Sequence, residues 1–277
     1  MNIKNPDFDS SKLLYLGAYW GQRTLTLGEY STQLKQYLKM LREFHPIFTN
    51  MYEVGDRPNA VMPVNPNDEA SFRQFIFQRA FSKDKPPYKQ LNLDADGKPT
   101  LETTGLFGFR TAFINQPKEN AQTLPGKISF SIAAGGSGVT PNSALVRFPR
   151  EGYPEFEDIH FVKRLFALMV GYWKPYEARL SCYAFSEKVP RIASDDNRLG
   201  LMNYSCDPRI KAVLPADVTT EPFGDDGFLF SFINNLAERN DPAVIEKGLR
   251  VRDILHEKGV YKESPSPAPN KQYKVQA

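Results

Sequence analysis

Between residues 107 and 149 apolar side chains recur at every second position: Phe107, Phe109 and Phe113 alternate with Gly108, Arg110 and Ala112, and Ile128, Phe130 and Ile132 with Ser129 and Ser131. A period of two turns one set of side chains toward a core and the other toward solvent, so these segments read as half-buried strands. Gly135, Gly136, Ser137 and Gly138 lead through Pro141 and Asn142 into a further strand, Ser143 to Pro149. An apolar run from Leu13 to Trp20 reads as a first, well-buried strand, and more strands are expected near Arg179–Phe185, Leu199–Tyr204, Val218–Phe223 and Gly227–Ile233. Strands in succession with short, turn-rich links predict a mainly antiparallel sheet.

Helical periodicity fills the gaps. Thr26 and Glu29 have capping-box spacing, and Tyr30, Leu34, Tyr37, Leu38, Leu41 and Phe44 then recur three or four apart until Pro46. Asn65, Pro66, Asn67 and Asp68 open a second helix with Phe72, Phe75, Ile76 and Ala80 on one face. Asp158 caps a third, whose buried face is Val162, Leu165, Phe166, Met169, Tyr172 and Trp173 and which Pro175 ends. Asp241 and Pro242 begin a last helix that stops at Gly259. The expected class is α+β, a mainly antiparallel sheet covered by about four amphipathic helices. Residues 1–260 are read as a single domain and 261–277, polar and spaced by prolines, as a disordered or loosely attached tail. The stretch from Ser82 to Thr104 carries loop chemistry.

With 277 residues, 41% of them hydrophobic and 13% aromatic, the chain can bury a substantial core. No apolar run approaches the roughly 18 residues of a membrane span, and the opening MNIKNPDFDS holds no apolar stretch of a signal peptide, so the expected location is the cytoplasm. Cys182 and Cys206, both in segments read as strands, are too few for a disulfide framework and read as small buried side chains in a reducing compartment, although a bridge between them is left open. The net charge of +3 does not announce a nucleic-acid binder. Its distribution is uneven: residues 1–150 carry 18 basic and 13 acidic side chains, 151–240 carry 10 and 14, and 241–277 carry 7 and 5.

A search for catalytic patterns yields none. His45, His160 and His256 lie on or next to helices without a second ligand at metal spacing. The glycine run at 135–138 is followed by Val139 and Thr140, where a phosphate loop needs Lys and Ser or Thr. Asp94, Asp96 and Gly97 resemble the start of a calcium loop, but the twelfth position is Gly105, and Asp96 and Lys98 read as a β-turn rather than a nuclease motif. No catalytic residue, metal ligand or cofactor is therefore expected, and the aromatics sit at core-periodic positions rather than along a basic stripe.

Tyr19-Trp20-Gly21 with Arg23, the glycine and serine loop leading to Pro141-Asn142-Ser143 and Ala144–Pro149, Trp173 with Pro175, Gly200, Leu201 and Tyr204, and the helix after Asp241 follow one another in a fixed order. In that order, from about Leu13 to about Gly259, the chain resembles the immunity protein 52 family. The loop from Ser82 to Thr104 and the tail after Gly259 depart from the family's pattern. The resemblance implies an antidote without enzymatic activity, whose partner is a restriction-endonuclease-like DNase toxin of a type VI secretion or polymorphic toxin system. It implies no direct contact with nucleic acid or membrane. Packing accounts for Trp20 and Trp173 without any binding role.

An interface is expected at EGYPEFED, where Glu151, Glu155, Glu157 and Asp158 accompany Tyr153 and Phe156, with Asp225 and Asp226 as further acidic candidates. Nucleases carry basic clefts, so an acidic surface with an aromatic anchor would both steer and hold one. The plainer reading is a solvated loop whose Asp158 caps the next helix. Competing functions are an α+β enzyme with a dispersed active site, and a structural or nucleic-acid-associated protein that uses the basic first half.

Overall fold

The computed structural model describes residues 13–54, 61–80, 91–117, 126–136 and 142–262. Ten strands form one sheet: β1 (Leu14–Trp20), β2 (Met51–Val54), β3 (Val61–Val64), β4 (Phe109–Ile114), β5 (Ser129–Ala134), β6 (Asn142–Arg147), β7 (Glu177–Cys182), β8 (Met202–Ser205), β9 (Thr219–Phe223) and β10 (Gly227–Ser231). Their spatial order is β3-β2-β4-β5-β6-β1-β7-β8-β10-β9, and every neighbouring pair is antiparallel. The outermost strands each contain a proline, Pro63 in β3 and Pro222 in β9, at the edge positions where a strand tolerates one.

The helices are α1 (Leu27–Phe44), α2 (Glu69–Arg79), α3 (Ile159–Trp173), α4 (Tyr183–Lys188), α5 (Pro208–Val213) and α6 (Pro242–Glu257). The four long ones begin at the expected caps. Thr26 and Glu29 close the capping box reciprocally at 3.2 and 2.8 Å, and Asp68, Asp158 and Asp241 each accept an amide hydrogen bond of their own first turn. The short α4 and α5 were not expected. Tyr183 to Phe185, read as the end of a strand, is instead the first turn of α4, because Cys182 Sγ accepts from the Phe185 amide and turns the chain there.

Helices α1, α2 and α3 all pack on one face of the sheet, which we call the inner face. Tyr30 meets Phe109 and donates to or accepts from Thr111 Oγ1 at 2.8 Å, Phe75 meets Phe113, and Trp173 stacks on Trp20 with ring centroids 5.0 Å apart. On the outer face the cover is partial. Around β7, β8 and β10 both faces are buried, because Phe185 of α4 packs on Phe232 and under Gly248 of α6, and Tyr261 packs on Phe230. Along β5 and β6 burial alternates residue by residue, and β4 and β1 depart from this only at Ile114 and Gly17, so among the described residues the outer face of that half remains in contact with solvent.

Two cysteine expectations divide. Cys182 is buried, whereas Cys206 is exposed just after β8, and the two form no disulfide. Tyr261 and Lys262, assigned from sequence to the tail, are tied down: Tyr261 is buried, its carbonyl accepts from the Asn197 amide at 2.9 Å, and Lys262 pairs with Asp196. The rest of the expected tail lies outside the described residues.

Candidate functional site

The acidic segment forms a short 3-10 turn, Pro154–Glu157, that leads into α3. Three of its carboxylates are occupied within the chain. Glu155 meets His45 Nε2 at 2.7 Å at the end of α1, Glu157 receives Arg239 at 2.6 Å, and Asp158 accepts from the His160 amide at 2.9 Å. Phe156 is only 2% exposed and packs against Phe148, Phe161 and His45, so it belongs to the core and is no anchor for a partner. Tyr153 is half-buried over Gly126, and Glu151 is exposed. Asp225 and Asp226 sit in the exposed β9–β10 turn, with Asp225 paired to Lys174 at the C-terminal end of α3. That helix has 15 residues, so the two acidic groups stand ~22 Å apart at 1.5 Å per residue and form no single patch.

The motif that opens the chain performs a structural task. Arg23 donates from Nη1 to Trp173 O at 2.7 Å and from Nη2 to Lys174 O at 2.5 Å, and its guanidinium lies 5.6 Å from the Trp20 ring centroid. A forked cation on the last carbonyls satisfies groups that a helix C-terminus leaves without donors, and it complements the helix dipole. Trp20, Arg23 and Trp173 thereby lock α3 to β1. Lys174, at φ 46°, turns the chain out of the helix.

On the outer face, at the step between its open and covered halves, lies a cluster that the sequence reading missed. Gly17 stands opposite Arg179 in the β1–β7 register, and a side chain at Gly17 would sit 2.5 Å from the Tyr19 hydroxyl. Its absence lets the Tyr19 ring fold back over the strand, and Arg179 stacks on that ring at 4.3 Å. Arg179 also donates to Glu177 Oε1 at 3.3 Å and to Arg198 O at 3.2 Å. Gly200 allows the chain to close over this group, since a Cβ there would stand 2.3 Å from Leu180 O. Burial alone would push the Tyr15 phenol up, but Arg179 beside it and hydrogen bonds with Ser186, Arg179 and Ser181 outweigh burial and hold it below the ordinary value. Burial dominates at Tyr19 and Tyr261, whose phenols are pushed up.

The open half of the outer face has an unusual covering. Its outward positions are mostly short, Ala112, Ser129, Ser131, Ala133 and Ser143, with Leu145 the one large apolar side chain at the centre and Ile114 at the β2 margin, where a solvated sheet face would ordinarily show long polar or β-branched side chains. Arg110 and Arg147 are exposed at its margins, and Lys127 precedes β5 on the same side. Among the described residues none of these three cations makes an ion pair.

Among solved structures, the fold matches "Pseudomonas aeruginosa T6SS protein PA0821" with a TM-score of 0.50 and 12% identity, over 90% of this chain and 76% of that chain. The two share a fold. No protein-family model matches the chain, and no curated protein matches its sequence. The motif residues on which the expected resemblance was read here build β1, the Arg23 lock and the Gly200 closure.

Among the described residues no group of three or more His, Cys, Asp or Glu side chains could hold a metal ion, and no helix is long and apolar enough to cross a membrane. His256 Nδ1 lies 2.8 Å from Asp196 Oδ2, a pairing invisible in the sequence because 60 residues separate the two. Lys262 occupies the other oxygen of Asp196. The three groups fasten the end of the chain to the loop before β8.

Proposed function

We propose that this chain is a binding protein without enzymatic activity that serves a type VI secretion system, where it neutralises a cognate restriction-endonuclease-like DNase toxin by forming a direct non-covalent complex in the cytoplasm. The observation that carries the reading is the fold shared with a T6SS protein over 90% of this chain, taken with the order of the immunity-family motifs. The structure of the candidate regions supports it: motif residues are spent on packing, and among the described residues no helix covers an extended part of one sheet face. The competing enzyme reading would have to use Asp196 and His256, the one carboxylate–imidazole pair near the core among the described residues apart from Glu155 and His45.

The test is coexpression of the chain with the toxin encoded beside its gene, followed by purification of the pair. The expected result is survival of the host and a stoichiometric complex in which nuclease activity is absent. The purified chain alone is expected to contain no stoichiometric zinc or manganese and to hydrolyse neither ester nor phosphodiester substrates. A toxin that remains active in the presence of excess chain, or one bound metal ion per chain, would refute the proposal.

A further inference from the structure

We infer that the open half of the outer sheet face, on β4, β5, β6 and β1, is the surface that docks the toxin, and that the docked surface of the toxin is acidic and separate from its basic cleft. This inference rests on the toxin-binding reading and names its contact surface. Three observations carry it. First, the floor of the face is mostly small, Ala112, Ser129, Ser131, Ala133 and Ser143 around a single half-buried Leu145, so another polypeptide can approach the strands closely and meet one apolar contact at the centre. Second, the face is walled on one side. Ser186 of α4 hydrogen-bonds with Ser181 at 3.1 Å beside Tyr15, and Tyr183, one turn earlier on the same side of α4, is 55% exposed at the rim. An exposed tyrosine beside a floor of small residues is a typical anchor of a protein interface.

Third, the charge on the face is of one sign. Arg110, Lys127 and Arg147 stand on it, and the outward positions of β4, β5, β6 and β1 hold no Asp or Glu. Partial burial and the nearby Arg147 guanidinium hold the Lys127 ammonium below its usual range. Cations crowded in this way are relieved by carboxylates from outside. A nucleic acid fits less well: the Tyr19 ring is already covered by Arg179, so it offers no stacking platform, and three cations neutralise few phosphates.

The test measures binding kinetics of the full chain against the nuclease domain of the toxin encoded beside its gene. The variants are Ser131→Trp, Arg110→Glu with Arg147→Glu, and Tyr183→Ala. All these side chains reach solvent, and circular dichroism with thermal melting checks that each variant folds. Ser131→Trp is expected to weaken binding by more than about a hundredfold and Tyr183→Ala by about tenfold or more. The double charge reversal is expected to slow association by about tenfold and to weaken its dependence on salt. Wild-type binding that persists within about twofold in Ser131→Trp and in the double reversal would overturn this inference alone. Failure of the wild-type chain to bind the domain would overturn the function reading and this inference with it. A dimer of the chain that Ser131→Trp abolishes, or duplex DNA bound through Arg110 and Arg147 with the toxin bound elsewhere, would assign the face to another occupant and likewise overturn it.

Discussion

Replacing Arg23 by Met removes two hydrogen bonds from a cation to the last carbonyls of α3, at 2.7 and 2.5 Å, and keeps most of the stem that lies against Trp20. Hydrogen bonds from charged groups contribute about 1.5–3 kcal/mol each, and a cation at a helix C-terminus adds about 0.3–1 kcal/mol. Arg23 is half-exposed, so water replaces part of what is lost, and the net cost should lie near 2 kcal/mol rather than at the sum of those figures. In a chain of this size about 2 kcal/mol corresponds to roughly 4–8 °C in melting temperature. Urea unfolding followed by fluorescence is a suitable assay, because stacked Trp20 and Trp173 report on the same junction. The midpoint should fall with little change in slope. Arg23→Lys should recover less than half of the loss, since an ammonium cannot serve both carbonyls in one plane. If Arg23→Lys equals the wild type, or Arg23→Met costs less than about 0.5 kcal/mol, the fork does not lock α3, and the role assigned to the opening motif is wrong.

Phe156→Ala should act as a core deletion, costing about 3–5 kcal/mol in chemical denaturation while leaving toxin binding by the folded fraction unchanged. Gly200→Ala, whose Cβ would meet Leu180 O at 2.3 Å, should cost roughly 1–3 kcal/mol. Gly171→Ala, at an exposed position of α3 where a Cβ meets nothing, should instead add about 0.5–1 kcal/mol, and both are read from thermal melts. Burial alone would raise the Asp196 carboxyl, but Lys262, the Ala193 amide and His256 outweigh burial and hold it at about 2, below the ordinary 3.8. A depressed folded value gives stabilisation that is present above about pH 4 and lost as pH falls through about 2, so Asp196→Asn should be less stable at neutral pH, with the gap to the wild type closing over that interval in acid titrations.

The long helices were legible in the sequence because their determinants are local: Thr26 with Glu29, Asp68, Asp158 and Asp241 lie next to the apolar periodicity they start. The alternation in β4, β5 and β6 was equally local. What escaped depended on distant partners or on length. β2 and β3 have four residues each, too few for a period to show. α4 was read as a strand because Tyr183 and Phe185 continue the alternation of β7, and only Cys182 Sγ, an uncommon cap, ends it. The acidic segment was found, but its neutralisation was not: His45 and Arg239 reach Glu155 and Glu157 across separations of 110 and 82 residues. Similarly, Ser129 and Ser131 were visible as the polar phase of a strand. That the helices leave this phase uncovered in one half of the sheet, and bury it in the other, is a matter of topology and not of any local pattern.

The two prolines at the margins of the sheet bear on how such a chain can be stored. Ten antiparallel strands with bare outer rows would let one copy extend the ladder of the next, and the tendency would grow with concentration. Pro63 and Pro222 interrupt the run of amide donors in β3 and β9, so growth of a shared sheet from either margin is discouraged. Closed margins let copies remain separate at high concentration, and they direct any partner away from strand addition and onto the broad side of the sheet.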